Sequence, residues 1–179
     1  MVTPYTHGAF GLVLGKLCTA RRLPLLFWVL TVFLPIAPDF DAFSNRPYGS
    51  LWGHRGFTHS LAFALALGLL SAGLTFYYFK ARFWVLAAFF FAITASHGLL
   101  DAFTDGGFGI PFFWPLSDHR FGPWGPIRVQ DIGFEIPDPR TSKSIRTELL
   151  WVWLPTAVLV ILVTTYRRLR RNAQPRANP

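Results

Sequence analysis

The chain has one cysteine, Cys18, and that scarcity removes two chemistries at once. No intramolecular disulfide can form and no thiolate cluster can hold a metal, so Cys18 reads as a small apolar filler. Charge is scarce too: Asp, Glu, Lys and Arg make up 15% of the 179 residues, against 52% hydrophobic residues that include 19 phenylalanines and 7 tryptophans. That is not the balance of a soluble domain. Also missing are a Walker-type glycine loop for phosphates, a Gly-x-Ser-x-Gly nucleophile elbow and a thiol nucleophile. Ser60, Ser96 and Thr104 lie near histidines in the chain, which leaves a serine–histidine–aspartate arrangement open, but it would leave most of the other polar residues without a task.

What is present is apolar length. Runs at 60–79, 82–103 and 149–166 approach or exceed the roughly 18 residues that read as a bilayer span. Shorter runs at 8–14 and 23–38 are separated by Lys16, Arg21 and Arg22. The pattern predicts an all-α, polytopic membrane bundle of about five membrane helices: one integral-membrane domain over 1–166, with a Gly/Pro/aromatic-rich outer loop at 104–148 and a basic tail at 167–179. No cleaved signal is expected, because the basic residues follow the first apolar run instead of preceding it.

The net charge of +8 is concentrated: Arg167, Arg168, Arg170, Arg171 and Arg176 stand beside the last apolar run. A juxtamembrane basic tail matches the positive-inside tendency and attracts anionic lipid headgroups, so nucleic acid is not the expected partner. Placing that tail in the cytoplasm and alternating the helices puts His7, Asp39, Asp41, His54, Arg55, His59, His97, Asp101 and Asp105 at helix ends on one membrane face, the outer one. Inverting the topology moves the face to the other compartment but keeps the residues together.

That shared face is where chemistry is expected, since ionisable groups at or within membrane helices are costly. His97 and Asp101 stand four apart near the end of an apolar helix, on one stripe, and can reach one ion. Pro35 and Pro38 end the preceding helix just before "PDFD", which supplies Asp39 and Asp41. His54 and His59 flank Arg55 in "GHRGFTHS", with Thr58 or Ser60 available to cap the helix that follows. Taken singly, each of these has a structural explanation: a turn cap, a surface histidine, an internal ion pair. Together, four of the five histidines and four aspartates collect at one level. Imidazole and carboxylate without thiolate suit zinc, manganese or iron, and six or seven candidate ligands favour either two metals or one metal with supporting partners. Arg55 is the expected contact for a phosphate or carboxylate, and Arg120 a second. In the outer loop, Asp118 and His119 read as solvated, and the aromatics as a collar at headgroup level. Ala62, Ala66, Gly68, Ala72 and Gly73 leave room for close helix contact, and Pro155 predicts a distortion of the last helix.

The ordered set "TPYTHGAFG", "PDFD", "HRGFTHS", "SHGLLDAFTDGG" and "PFFWPL" resembles the bacterial inner-membrane metal-dependent hydrolases, also labelled LexA-binding, inner membrane-associated hydrolases. The resemblance runs from His7 to about Arg128. It implies a multi-pass membrane hydrolase and ligand status for His7, Asp39, Asp41, His54, His59, His97 and Asp101. More faintly, the order of ligands is similar to zinc-dependent phospholipase C and the single-strand nucleases, although their downstream ligands have no clear counterpart beyond His119, Glu135 or Glu148.

The expected function is therefore a membrane-embedded hydrolase, carrying one to three divalent ions with zinc the leading candidate and manganese or iron as alternatives. It would act on a phosphoester or ester of a lipid or lipid-linked substrate at the headgroup plane. Arg55 would hold the anionic group, and Asp41 or Asp105 would serve as general base. The alternative is a non-catalytic metal- or anion-binding membrane protein that docks a cytoplasmic regulator through its basic tail. Nothing in the residues specifies an oligomeric state.

Overall fold

A computed structural model describes residues 2–19, 22–127 and 145–173. Arg21, Arg128, Glu135 and Arg176, with part of the outer loop and of the basic tail, lie outside the described residues. The described chain is helical: α1 (Pro4–Cys18), α2 (Leu25–Phe33), short 3-10 helices at Ala37–Phe43 and Phe57–His59, α3 (Leu61–Phe79), α4 (Phe83–Ala102), and α5 (Leu154–Ala173) preceded by a π turn at Leu149–Trp153. No strand occurs among the described residues, only single bridges pairing Thr104 with Ile127 and Ile110 with Phe121.

Each apolar run became a helix, with limits set by local chemistry. Pro4 opens α1 at a position where its missing N–H costs nothing. Of the two expected caps for α3, Ser60 takes the role: its hydroxyl accepts the N–H of Phe63 at 3.1 Å. Pro155 cannot donate backward, and the chain answers with the π turn immediately before it. Three helices are long and apolar enough to cross a membrane: α3, α4 and the 28-residue run Ile145–Asn172 that contains α5. A fourth span forms if α2 and Ala37–Phe43, bent by 52°, are one broken span. At 15 residues, α1 spans about 22 Å, short of the ~30 Å hydrocarbon core.

Phe27, Leu34, Ala72, Phe79, Leu86, Ala87, Phe90 and Ile93 form the apolar core between α2, α3 and α4. Gly68 brings α3 against α4, since a Cβ there would lie 2.7 Å from the Phe91 nitrogen, whereas Gly73 faces open space. Outward-facing Leu65, Leu70, Leu74, Leu159, Ile161 and Leu162 suit a hydrocarbon solvent.

A buried carboxylate ties the last helical run to α1. Glu148 is 2% exposed and accepts from the Thr3 N–H at 2.8 Å, the Thr3 hydroxyl at 2.7 Å and the Thr6 hydroxyl at 2.6 Å. Its oxygens are spent on the start of α1, so Glu148 is not available as a downstream metal ligand. Glu148→Ala leaves three donors without their acceptor and is expected to cost about 3 kcal/mol, read as a lowered thermal midpoint in detergent.

Candidate metal centre

Four chain segments far apart in sequence bring their polar residues to one point: the start of α1, the 3-10 helix after α2, the turn before α3 and the end of α4. Asp39, His59, His97 and Asp101 each offer one ligand atom, and these atoms all lie within 4.8 Å of one another. His97 Nε2 is 3.0 Å from His59 Nε2, 3.4 Å from Asp39 Oδ1 and 3.9 Å from Asp101 Oδ2. His59 Nε2 is 3.8 Å from Asp39 Oδ1 and 3.9 Å from Asp101 Oδ2. Ligands held at 2.0–2.2 Å by a tetrahedral ion are themselves about 3.3–3.6 Å apart, so these five separations bracket the edges of such a polyhedron.

The tautomers sharpen the point. The other nitrogen of His97, Nδ1, is 2.8 Å from the Pro35 carbonyl, which can only accept, so Nδ1 carries a proton and, when the ring is neutral, Nε2 carries the lone pair. His59 Nδ1 faces Asp41 Oδ2 at 3.2 Å and is fixed in the same sense. Burial holds the His59 imidazole below its ordinary pKa, which favours the neutral form a metal needs. With both rings neutral, two nitrogen lone pairs face each other at 3.0 Å beside two carboxylate oxygens. Asp39 Oδ1, Asp39 Oδ2 and Asp101 Oδ2 are buried without a hydrogen-bond partner. Unpartnered carboxylate oxygens converging beside two imidazole nitrogens fit a cation.

Asp39 and Asp41 divide their labour because of the 3-10 helix that carries them. At three residues per turn, positions two apart point about 120° away from each other. Asp39 faces the four-residue cluster, while Asp41 faces His54, whose Nδ1 is 2.7 Å from Asp41 Oδ1, and also accepts from the Thr58 hydroxyl. Asp41, His54 and His59 form a second group adjoining the first. Asp41 thus orients His59 while both of its oxygens are engaged. Asp41→Asn is expected to weaken metal retention about 10–100-fold with little change in fold, measurable by competition with a chelator.

The remaining predicted residues are placed as follows. His7 is fully buried, stacked on His97 at 4.0 Å, with Nε2 3.4 Å from Asp101 Oδ1, the oxygen that the four-residue cluster does not use. Asp105 is exposed in the loop after α4 and its nitrogen donates to the Ile127 carbonyl, so the cluster does not include it. Arg55 does not reach outward to a substrate anion: it is 0% exposed, with Nε 3.5 Å from Asp101 Oδ2 and its terminal nitrogens donating to the Gly106 carbonyl and the Thr104 hydroxyl. Gly107, at φ +93, makes room, since a Cβ there would lie 2.3 Å from the guanidinium. Arg120 is likewise spent on the carbonyls of Arg55, Gly109 and Gly49 and staples three loop segments together. Asp118 and His119 are exposed, as expected.

Sequence reasoning did not find the bracing role of Pro35, whose carbonyl fixes His97 from 62 residues away, nor that of Val2, whose N–H donates to Asp101 Oδ1 at 2.9 Å. Backbone groups leave no trace in residue identity. A stripe of Gly8, Gly11 and Gly15 on α1, which faces α2, could have been read from its spacing.

The family described as YdjM inner membrane protein matches residues 1–171 of the chain. Inner membrane protein YbcI of Escherichia coli (strain K12) is 36% identical over 176 residues, covering 94% of this chain and 100% of that protein. No solved structure matches.

Proposed function

We propose that this chain, which belongs to the YdjM inner membrane protein family, is a metal-dependent hydrolase of a phosphoester or ester bond in a lipid or lipid-linked substrate. The observation that carries the reading is the convergence of His59 Nε2, His97 Nε2, Asp39 Oδ1 and Asp101 Oδ2, the two carboxylate oxygens having no hydrogen-bond partner. Nitrogen and oxygen donors at these separations suit zinc first, and manganese or iron next. A divalent ion bound there polarises a phosphoryl or carbonyl oxygen and lowers the pKa of a coordinated water.

The chain's own residues supply the rest. Asp39 is the outermost of the four, 7% exposed against 0% for His97 and Asp101, so substrate and water approach on its side. Its second oxygen, buried and without a partner, is the acceptor left to take a proton beside the ion. Phe40, Phe43, Trp52, Phe108 and Trp124 are exposed on the loops that flank the site. Aromatic rings in that position favour the membrane interface, which selects a lipid headgroup over a soluble substrate. The outer-face location of the site and the cytoplasmic location of the α5 arginines belong to the same proposal.

One feature favours a second reading. Four protein ligands complete a tetrahedron, the habit of structural sites, whereas catalytic sites keep a position open. In that reading the protein holds its metal without turnover. Metal analysis of the detergent-purified protein, paired with a screen against phospholipids and lipid-linked phosphates, separates the two. Chelator-sensitive product release supports the hydrolase; a metal-loaded but inert protein supports the second reading. A folded protein that binds no metal overturns both.

A further inference from the structure

We propose that the centre holds one divalent ion and that Arg55 stands as its fixed second cation. The inference rests on the metal reading above and adds a stoichiometry to it. Seven candidate ligands had allowed for two or more ions, and the geometry divides them differently.

The second group is already joined internally through His54 Nδ1, which leaves His54 Nε2 as its one ring nitrogen without a partner. His54 Nδ1 and Asp41 Oδ1 are 2.7 Å apart, a hydrogen-bond distance. An ion bound to both would hold them about 3.3 Å apart or more. His59 can join that group only through Nδ1, the nitrogen already turned to Asp41 Oδ2 at 3.2 Å. Asp101 has its other approaches filled. Oδ1 accepts the Val2 N–H at 2.9 Å and faces His7 Nε2 at 3.4 Å, and the Arg55 Nε stands 3.5 Å from Oδ2.

The charge agrees. Asp39, Asp41 and Asp101 are at most 9% exposed, and Arg55 is the one arginine or lysine among the described residues that forms an ion pair with any of them. Counting these side chains with the imidazoles neutral, three carboxylates and one guanidinium leave two negative charges, which one divalent ion balances. Two ions would leave a buried excess of positive charge, and burying unbalanced charge is expensive. The guanidinium is locked for this task by Gly106, Thr104 and the space Gly107 provides, and Arg55 adopts a left-handed backbone at φ 62 to turn inward.

The test counts metal per chain by elemental mass spectrometry, on full-length protein purified in detergent and offered excess zinc and manganese. Wild type is expected to retain one ion. Arg55→Ala vacates a pocket lined by Asp101 Oδ2, the Thr104 hydroxyl and the Gly106 carbonyl, an oxygen set suited to manganese, and is expected to retain two. Arg55→Lys restores the charge and is expected to return the count to one. Two ions in the wild type overturn the inference while leaving the metal reading in place, and so does a folded Arg55→Ala that stays at one. No ion in the wild type overturns both. If Arg55→Ala does not fold, the counts in wild type and Arg55→Lys still decide: one in each supports the inference, and two in either overturns it.

Discussion

His97→Ala is expected to strip the protein of its metal. The substitution removes the nitrogen that lies 3.0 Å from His59 Nε2 and 3.4 Å from Asp39 Oδ1, and with it the ligand nearest to the other members of the cluster. Loss of one of four ligands should weaken retention by more than the roughly 10–100-fold that follows from disturbing a supporting partner. Stability should fall as well. The ring is fully buried, stacks on His7 and donates to the Pro35 carbonyl, so its removal opens a cavity and leaves an acceptor without its donor, together about 3 kcal/mol. The informative comparison is thermal melting with and without a chelator: the wild-type midpoint should drop on chelation, whereas that of His97→Ala should already be low and not respond. Undiminished metal content in His97→Ala would remove this residue from the ligand set and with it the proposed centre.

Gly11→Ala should be nearly as damaging, although it alters no ligand and no ionisable group. A Cβ at Gly11 would lie 2.1 Å from the Thr31 carbonyl oxygen and 2.7 Å from the Pro35 ring. The first obstacle is backbone within α2 and cannot rotate away, so α1 and α2 must separate. Overpacking of this kind costs about 1–3 kcal/mol, and an unyielding backbone places the effect at the upper end. The consequence reaches the site, because α1 carries His7 and Pro35 fixes the tautomer of His97. A melting midpoint lowered by several degrees, accompanied by weaker metal retention, is the expected pair of results. Gly73→Ala provides the control, since nothing lies within 4 Å of a Cβ there, and it should leave both unchanged.

The α5 arginines allow a simple separation of the two functional classes. Arg167, Arg168, Arg170 and Arg171 follow the apolar part of α5 and none belongs to the candidate metal-binding groups. Deleting 167–179 is therefore expected to preserve metal content and any hydrolysis, while abolishing an interaction that depends on the basic tail.

The sequence by itself determined the elements and their ends. Apolar runs too long for a soluble core became α3, α4 and the run containing α5, because burying so much apolar surface needs lipid as well as neighbouring helices. Prolines closed α2 before "PDFD", and the four-residue spacing of His97 and Asp101 put both on one helical stripe. Alternation of the helices then sent His7, Asp39, His54 and His59 to the same end of the bundle, since short connections leave no other choice. What only the tertiary structure decided was direction. Residue identity says that Asp39 and Asp41 are both carboxylates; the 3-10 helix turns one toward the four-residue cluster and the other toward His54. Arg55 and Arg120, read from the sequence as reaching outward to an anion, are turned inward to Asp101 and to three backbone carbonyls. The identity of each lone pair, and whether it meets a proton, a guanidinium or another lone pair, depends on backbone groups such as the Pro35 carbonyl and the Val2 N–H that approach from distant segments. Those approaches are a property of how the helices pack, which no single stretch of sequence contains.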